Sequence, residues 1–567
     1  MLPPLPNNVF EFMEWSWDQI EPYYQDLGER PIDAASVSGW LRDWSRLQAL
    51  IKERYERLYV ATTVDTTDEA AETRLKAFLD EIYPQSQAAE QMLKQKLLAS
   101  RLEPEGFEMP LRKMRAEAEI FRQENLPLLS DEIKLANEYD KVVGAQTVSW
   151  EGEEITPTQL RPVYQETDRE RRERAWRLEI DCYLSDRQAI NDLWVRCMAV
   201  RGRLAKNAGF PDYRAYRWKQ LHRFDYAPQD CFRFHQAIEE VVVPAMKRIL
   251  ERRRQRLGVE KLRPWDLEVD PHGRPPLRPF QSVAQLESGV ATIFQKVDPQ
   301  LGEYFEIMRA ENLLDLDNRK GKAPGGYCTE FDVAQRPFIF TNAVGVHDDV
   351  QTLLHEGGHA FHVFESAHLP YLQQKTYGSE IAEVASMSME LLSGPYLTAD
   401  QGGFYTPQEA ARVRIENLEL AINFWPYMAV VDAFQHWAYE NHAAASDPAN
   451  CDAKWGELWD RFMVGQDWSG LEDARVTGWH RKLHIHQDPF YYIEYGLAQL
   501  GAFQVWRNSL GDRDEAVAAY RRALSLGGTA PLPRLFEAAG ARFAFDADTL
   551  RAAVDLAERV IEELEAT

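Results

Sequence analysis

Val350-Gln-Thr-Leu-Leu-His355-Glu356-Gly-Gly-His359-Ala-Phe-His362 decides how the rest of this chain is understood. Two histidines stand at i and i+4, with a carboxylate directly after the first. On a helix that spacing puts both imidazoles on one face about one turn apart, close enough to share one metal ion. Glu356 is then rotated off that face and can lean over the ion without ligating it. A Lewis acid with an open position beside a base is machinery for splitting an amide with water. Gly357 and Gly358 each cost a helix about 1 kcal/mol relative to alanine. That loss makes sense where another chain element passes close to the metal. Asp348 or Asp349 offers the helix an N-cap.

A tetrahedral site of this kind takes a third protein ligand. Downstream, Gly378-Ser-Glu380-Ile-Ala-Glu383-Val-Ala-Ser-Met-Ser-Met-Glu390 predicts a helix with three candidates, Glu380, Glu383 and Glu390. Glu383 and Glu390 share a face, while Ala382, Ala385 and Ser386 leave room for a second helix to approach closely. Glu380 is expected on the solvated side. Carboxylates on a helix of Ile, Ala, Val, Met and Leu bury charge unless they are paired or metal-bound. His362 is expected to pack behind the ligands, and His436 and His442, on aromatic-rich surfaces, to be structural.

Two further regions bear on the chemistry. Gly325 to Phe331 and Pro337 to Asn342 are short, aromatic or β-branched, and bounded by turn residues, which predicts strands. Pro337 has no N–H to give and is expected on an edge strand. Such an edge holds an extended peptide by backbone hydrogen bonds, with Gly325 and Gly326 admitting its backbone; the alternative is a hairpin that braces the helix. Between Trp479 and Tyr495, His484, His486, Tyr491, Tyr492 and Tyr495 supply donors suited to a developing oxyanion.

The bulk properties narrow the class. The chain has 567 residues and a net charge of -25, which disfavours nonspecific binding to nucleic acid or anionic lipid. Five scattered cysteines without a Cys-x-x-Cys pair suit a reducing cytoplasm. The first residues lack a basic, then apolar, leader pattern, and no uncharged apolar stretch approaches a bilayer's span. Residues 9 to about 140 are expected to be almost wholly helical, followed by a hairpin around Glu151-Gly-Glu. We divide the chain there into an N-terminal helical lobe, 1–155, and a catalytic region, 156–567. Pro264 to Pro279 is expected to be a surface loop.

His355-Glu356-x-x-His359 followed by Glu383-x-x-Ser386-x-x-x-Glu390 resembles the oligoendopeptidase F and thimet oligopeptidase family of zinc metallopeptidases. The likeness extends through Gly321 to Thr329, Pro337 to Asn342, His484 to Tyr495 and Leu524 to Gly528. It implies a mainly α, two-lobed zincin-type metallopeptidase with a small β-sheet next to the zinc-binding helix and a deep substrate channel. It implies one zinc ion on His355, His359 and Glu383, with Glu356 as general base. By the same likeness His484 and Tyr495, then Tyr492, stabilise the oxyanion, with His486 competing for the histidine role. The activity implied is zinc-dependent, Glu356-assisted hydrolysis of internal bonds in short, unstructured oligopeptides in the cytoplasm. A metallocarboxypeptidase or dipeptidase on the same scaffold is the alternative, and a noncatalytic zinc-stabilised binding protein a more remote one. Ala343 departs from the pattern, since an aromatic residue is expected after Asn342 in many relatives.

Overall fold

Trp40, Trp44, Leu47, Ile51 and Leu58 recur at helical spacing and form the buried stripe of α1 (Val37–Val64). In the computed structural model, which describes residues 2–566, helices of this kind make up most of the chain. The first of them enclose their own apolar core, from Phe12 to Met114. A second, larger core runs from Ile120 to Ile561. α2 (Leu126–Gly144) follows the first core and gives Leu128 to the second. Its Leu135 and Tyr139 pack instead with Ile190, Leu193 and Cys197.

The expected hairpin forms from β1 (Val148–Trp150) and β2 (Glu153–Ile155), paired antiparallel. Glu151 and Gly152 turn the chain at φ 53° and 94°, the left-handed pair that a two-residue hairpin requires. Three more strands, β3 (Leu314–Asp317), β4 (Tyr327–Phe331) and β5 (Arg336–Ala343), make a sheet in the order β3-β5-β4. The strand containing Pro337 is therefore central, not the edge that the missing N–H suggested. Pro337 is tolerated because it pairs with Glu330 on β4 before the parallel β3 joins at Leu314–Ile339. The edge is β4.

Behind this sheet lies α3 (His347–Ser366), which carries the two-histidine motif. Val346 is its N-cap, so neither aspartate takes that position. Asp349 caps from inside the helix, accepting from the backbone N–H groups of Val344, Gly345 and Val346 at 2.9, 2.7 and 2.8 Å. Asp348 pairs with Arg161 at 2.7 Å. α3 packs against α4 (Ser379–Ser393), and α4 against α6 (Tyr492–Ser509); α5 (Pro407–Glu440) runs beside α6. The glycines permit the closest of these contacts. A Cβ on Gly358 would stand 2.5 Å from the Ala385 carbonyl oxygen and the Ser386 Cα, and one on Gly357 would enter the Phe294 ring. Among the described residues, no helix is long and apolar enough to cross a membrane.

Candidate active site

That close crossing of α3 and α4 brings the motif together. His355 Nε2 lies 3.2 Å from Glu383 Oε2, and His359 Nε2 lies 3.6 Å from the same oxygen. One ligand atom from each of the three side chains falls within 4.8 Å of the others. Each is also held from behind. Glu390 takes the other nitrogen of His355, Nδ1, at 2.7 Å, and His359 is hydrogen-bonded to the Ala382 backbone. Tyr491 donates to Glu383 Oε1 at 2.6 Å and Ser386 to Oε2 at 2.8 Å. Burial drives the Glu383 carboxyl up, but the charges of His359 and His355 and the Tyr491 hydroxyl outweigh it and hold it at about 2. Two imidazoles and one ionised carboxylate, each oriented by an outer partner, are the donor set of a catalytic zinc site. The residues fit that ion.

Glu356 is 5% exposed, and its Oε2 has no hydrogen-bond partner. Burial pushes its carboxyl up to about 8, opposed by His355 and reinforced by Glu383 and Glu390. A divalent cation on the neighbouring ligands would draw that value back down. His355, Glu356, His359 and Glu383 all line a cavity of about 630 Å³. Its other walls come from distant parts of the chain: Glu56 and Tyr59 of α1, Asp140 of α2, the 323–330 stretch, and the 483–495 region. Asn342 holds the turn at the cavity wall, donating to the carbonyls of Ala323 and Gly325 at 2.9 and 2.8 Å. His484 and Tyr495 face the cavity together, with His484 Nε2 3.2 Å from the Tyr495 hydroxyl. Burial and the Lys482 charge hold His484 down at about 3, so the ring is neutral and carries one N–H.

Residues 163–555 match the model of Peptidase family M3, and residues 8–121 match the Peptidase M3 N-terminal domain. The chain belongs to peptidase family M3. Among solved structures, it is similar to a protein assigned as oligoendopeptidase F, with 29% identity and a TM-score of 0.91 over 96% of both chains. It is also similar to PZ peptidase A with an inhibitor, with 28% identity and a TM-score of 0.90, over 100% of this chain and 99% of the other. A further oligoendopeptidase F assignment, from Bacillus anthracis str. Ames, shares the fold at 24% identity and a TM-score of 0.87, over 100% of this chain and 97% of that one. No curated protein matches.

Other residues of this M3 peptidase fall less simply. His486 is buried between Tyr139 and Trp479, with ring centroids 4.7 and 5.9 Å away, and it does not line the cavity. Tyr492 is likewise outside the lining; its ring packs against Phe424, Tyr427 and Tyr495. Its neighbour Tyr491 takes the place at the site, on Glu383. His362 stacks on Tyr377 at 3.5 Å, behind the ligands. Glu380 is not solvated: it is 2% exposed and accepts from the Tyr226 hydroxyl at 2.7 Å. Gly326 faces the protein's own chain as well as the cavity, since a Cβ there would meet Phe340 O and Thr352 at 3.3 Å and Glu356 Oε1 at 3.5 Å. Ala343 is not among the lining residues. A second cluster, Cys231, Asp432 and His436, lies buried between the helix Pro228–Ala237 and α5.

Proposed function

We propose that this M3 peptidase is a zinc-dependent endopeptidase that cuts internal bonds of short, unstructured oligopeptides, with one zinc ion on His355, His359 and Glu383. The observation that carries the reading is the convergence of those three ligand atoms within 4.8 Å on the wall of a cavity that Glu356 shares. Zinc held there supplies Lewis acidity toward the scissile carbonyl and the attacking water. Glu356 takes the proton of that water and passes it to the leaving amine, as general base and then acid. Its unpartnered, buried oxygen suits a group that must accept a proton and release it. Tyr495 and His484 donate hydrogen bonds to the oxygen on which negative charge develops, a contribution of about 3 kcal/mol for a well-aimed donor. Tyr491 keeps Glu383 in register. The sheet edge β4 lines the cavity and offers backbone groups to an extended substrate. A cavity enclosed by α1 and α2 as well as the catalytic helices favours peptides over folded proteins. The five free cysteines fit a cytoplasmic location.

The test is cleavage of an internally quenched peptide blocked at both ends. Wild-type protein cuts it, and Glu356→Gln lowers the rate by about 10²–10⁴-fold. Activity that survives the substitution removes Glu356 as the base. Release of terminal residues only, from unblocked peptides, assigns a carboxypeptidase or dipeptidase instead.

A further inference from the structure

Asp140 is a buried acid whose partner the chain does not provide. It is 4% exposed and lines the cavity. Gln487 donates to its Oδ1 at 2.6 Å, and its Oδ2 has no hydrogen-bond or ion-pair partner among the described residues. The charged group that acts on it is another acid, Asp488, which raises its affinity for a proton further. Asp140 also sits one turn from the C-terminal end of α2, where the helix dipole opposes negative charge. Buried carboxylates are ordinarily paired with a cation. The other acids of the cavity make the deficit larger. Asp488 is half exposed and stands 4.0 Å from Arg217. Glu56 accepts from Thr329 at 2.7 Å, while Glu330 shares Lys52 with Asp332 at 3.6 and 3.0 Å. Among the described residues that line the cavity, none is Lys or Arg.

We propose that Asp140, with Asp488 beside it, forms a subsite for a cationic group of the peptide substrate. Either a Lys or Arg side chain or the N-terminal ammonium has the required chemistry. The inference rests on the reading of this cavity as the place where peptides bind. A cation entering it would complete the Asp140 pair and offset the acidic lining, whereas a Glu or Asp side chain would add to the repulsion. Asp140 lines space that the protein leaves open, and a Lys ammonium or Arg guanidinium is a donor suited to its carboxylate.

The test uses the zinc-loaded, full-length protein and a quenched peptide with one variable position, filled in turn by Lys, norleucine and Glu. Each peptide is made with a free and with an acetylated N-terminus. The readout is the ratio of kcat/KM between members of a pair. The side-chain source predicts that Lys is preferred over norleucine by about tenfold at one position, with the preference kept after acetylation. The terminal source predicts instead that acetylation lowers kcat/KM by a similar factor. In either case Asp140→Asn collapses the preference to near one. Asp488→Lys, at a half-exposed position, shifts the ratio toward Glu. A wild-type protein that cuts Lys, norleucine and acetylated peptides equally well overturns the subsite while leaving the endopeptidase reading intact. A preference that Asp140→Asn leaves unchanged also overturns it. Failure to cut any of these peptides fails the endopeptidase reading itself.

Discussion

His355, His359 and Glu383 in the cavity, and Cys231, Asp432 and His436 between α5 and its neighbour, each bring metal-binding atom types within 4.8 Å of one another. They differ in what stands behind the rings. Glu390 accepts at Nδ1 of His355, which fixes one ring proton there, so Nε2, beside Glu383, is the nitrogen whose lone pair a cation would take in place of a proton. At His436 the Arg214 guanidinium, which can only donate, lies 3.2 Å from Nδ1. The proton of that ring is therefore on Nε2, 3.3 Å from Asp432 Oδ2. His235 Nε2 reaches the same oxygen at 2.9 Å. Burial raises the Cys231 thiol well above its ordinary value, and Asp432 adds to the effect, so the sulfur stays protonated. None of the three lines the active-site cavity. Similar donor types are thus set up differently: in one place a ring nitrogen is left facing the cavity, in the other Arg214, Asp432 and His235 surround the ring. The outer partner decides which.

The largest expected effect comes from breaking the buried cluster around Asp432. Asp432→Ala takes the hydrogen-bond partner from His235 and the neighbouring carboxylate from His436, and lowers stability by about 3–5 kcal/mol in a denaturant melt, with metal content unchanged. A stable variant that has lost metal would dissolve the distinction between the clusters. At the open site, Glu390→Gln removes the carboxylate behind His355, and metal affinity measured against a competing chelator falls about 10–100-fold. Unaltered affinity would show that the partner at Nδ1 does not matter. A smaller loss, about 1–2 kcal/mol of metal binding, follows Tyr491→Phe, which takes away one hydrogen bond to a charged ligand. Tyr492→Phe is the control and leaves that affinity as it was.

The same contrast between partnered and unpartnered groups separates two aspartates. Burial pushes Asp432 up, and His436 and His235 reverse this and hold it well below its usual range. Asp140, with no cation beside it, is pushed by burial up to about 7. An unfolded aspartate titrates near about 3.9, so the folded chain binds the extra proton between those values. Its contribution therefore declines as pH rises from about 4 to about 7. Asp140→Asn flattens the wild-type fall in melting temperature across that window. Identical pH profiles for the two proteins would contradict the unpaired state of the group.

Much of this centre was legible in the sequence, because its logic is periodic. His355 and His359 sit one turn apart, and an acid on a helix of small and apolar residues announces a buried partner. The resemblance then named Glu383 among three acids, which spacing alone left open. What could not be read depends on rotation or on distant chain. Tyr491 and Tyr492 are adjacent, and a single step around the helix decides which hydroxyl reaches Glu383. His484 and His486 are separated only by where Tyr139 and Trp479 pack. Glu380 looked solvated because its partner, Tyr226, lies far upstream. β3 was missed because two of its four residues are aspartates, a composition typical of loops. Pro337 suggested an edge, but the position of a strand in its sheet is set by which neighbours arrive, and β3 arrives only past the proline.

Metal stoichiometry by elemental analysis tests the central claim most directly, on purified wild-type protein reconstituted with zinc and on Glu383→Ala and His436→Ala treated identically. Three side chains that share one ion predict one zinc per chain in the wild type and in His436→Ala, and none in Glu383→Ala. Zinc retained at full occupancy without the Glu383 carboxylate, or lost with His436, would contradict it.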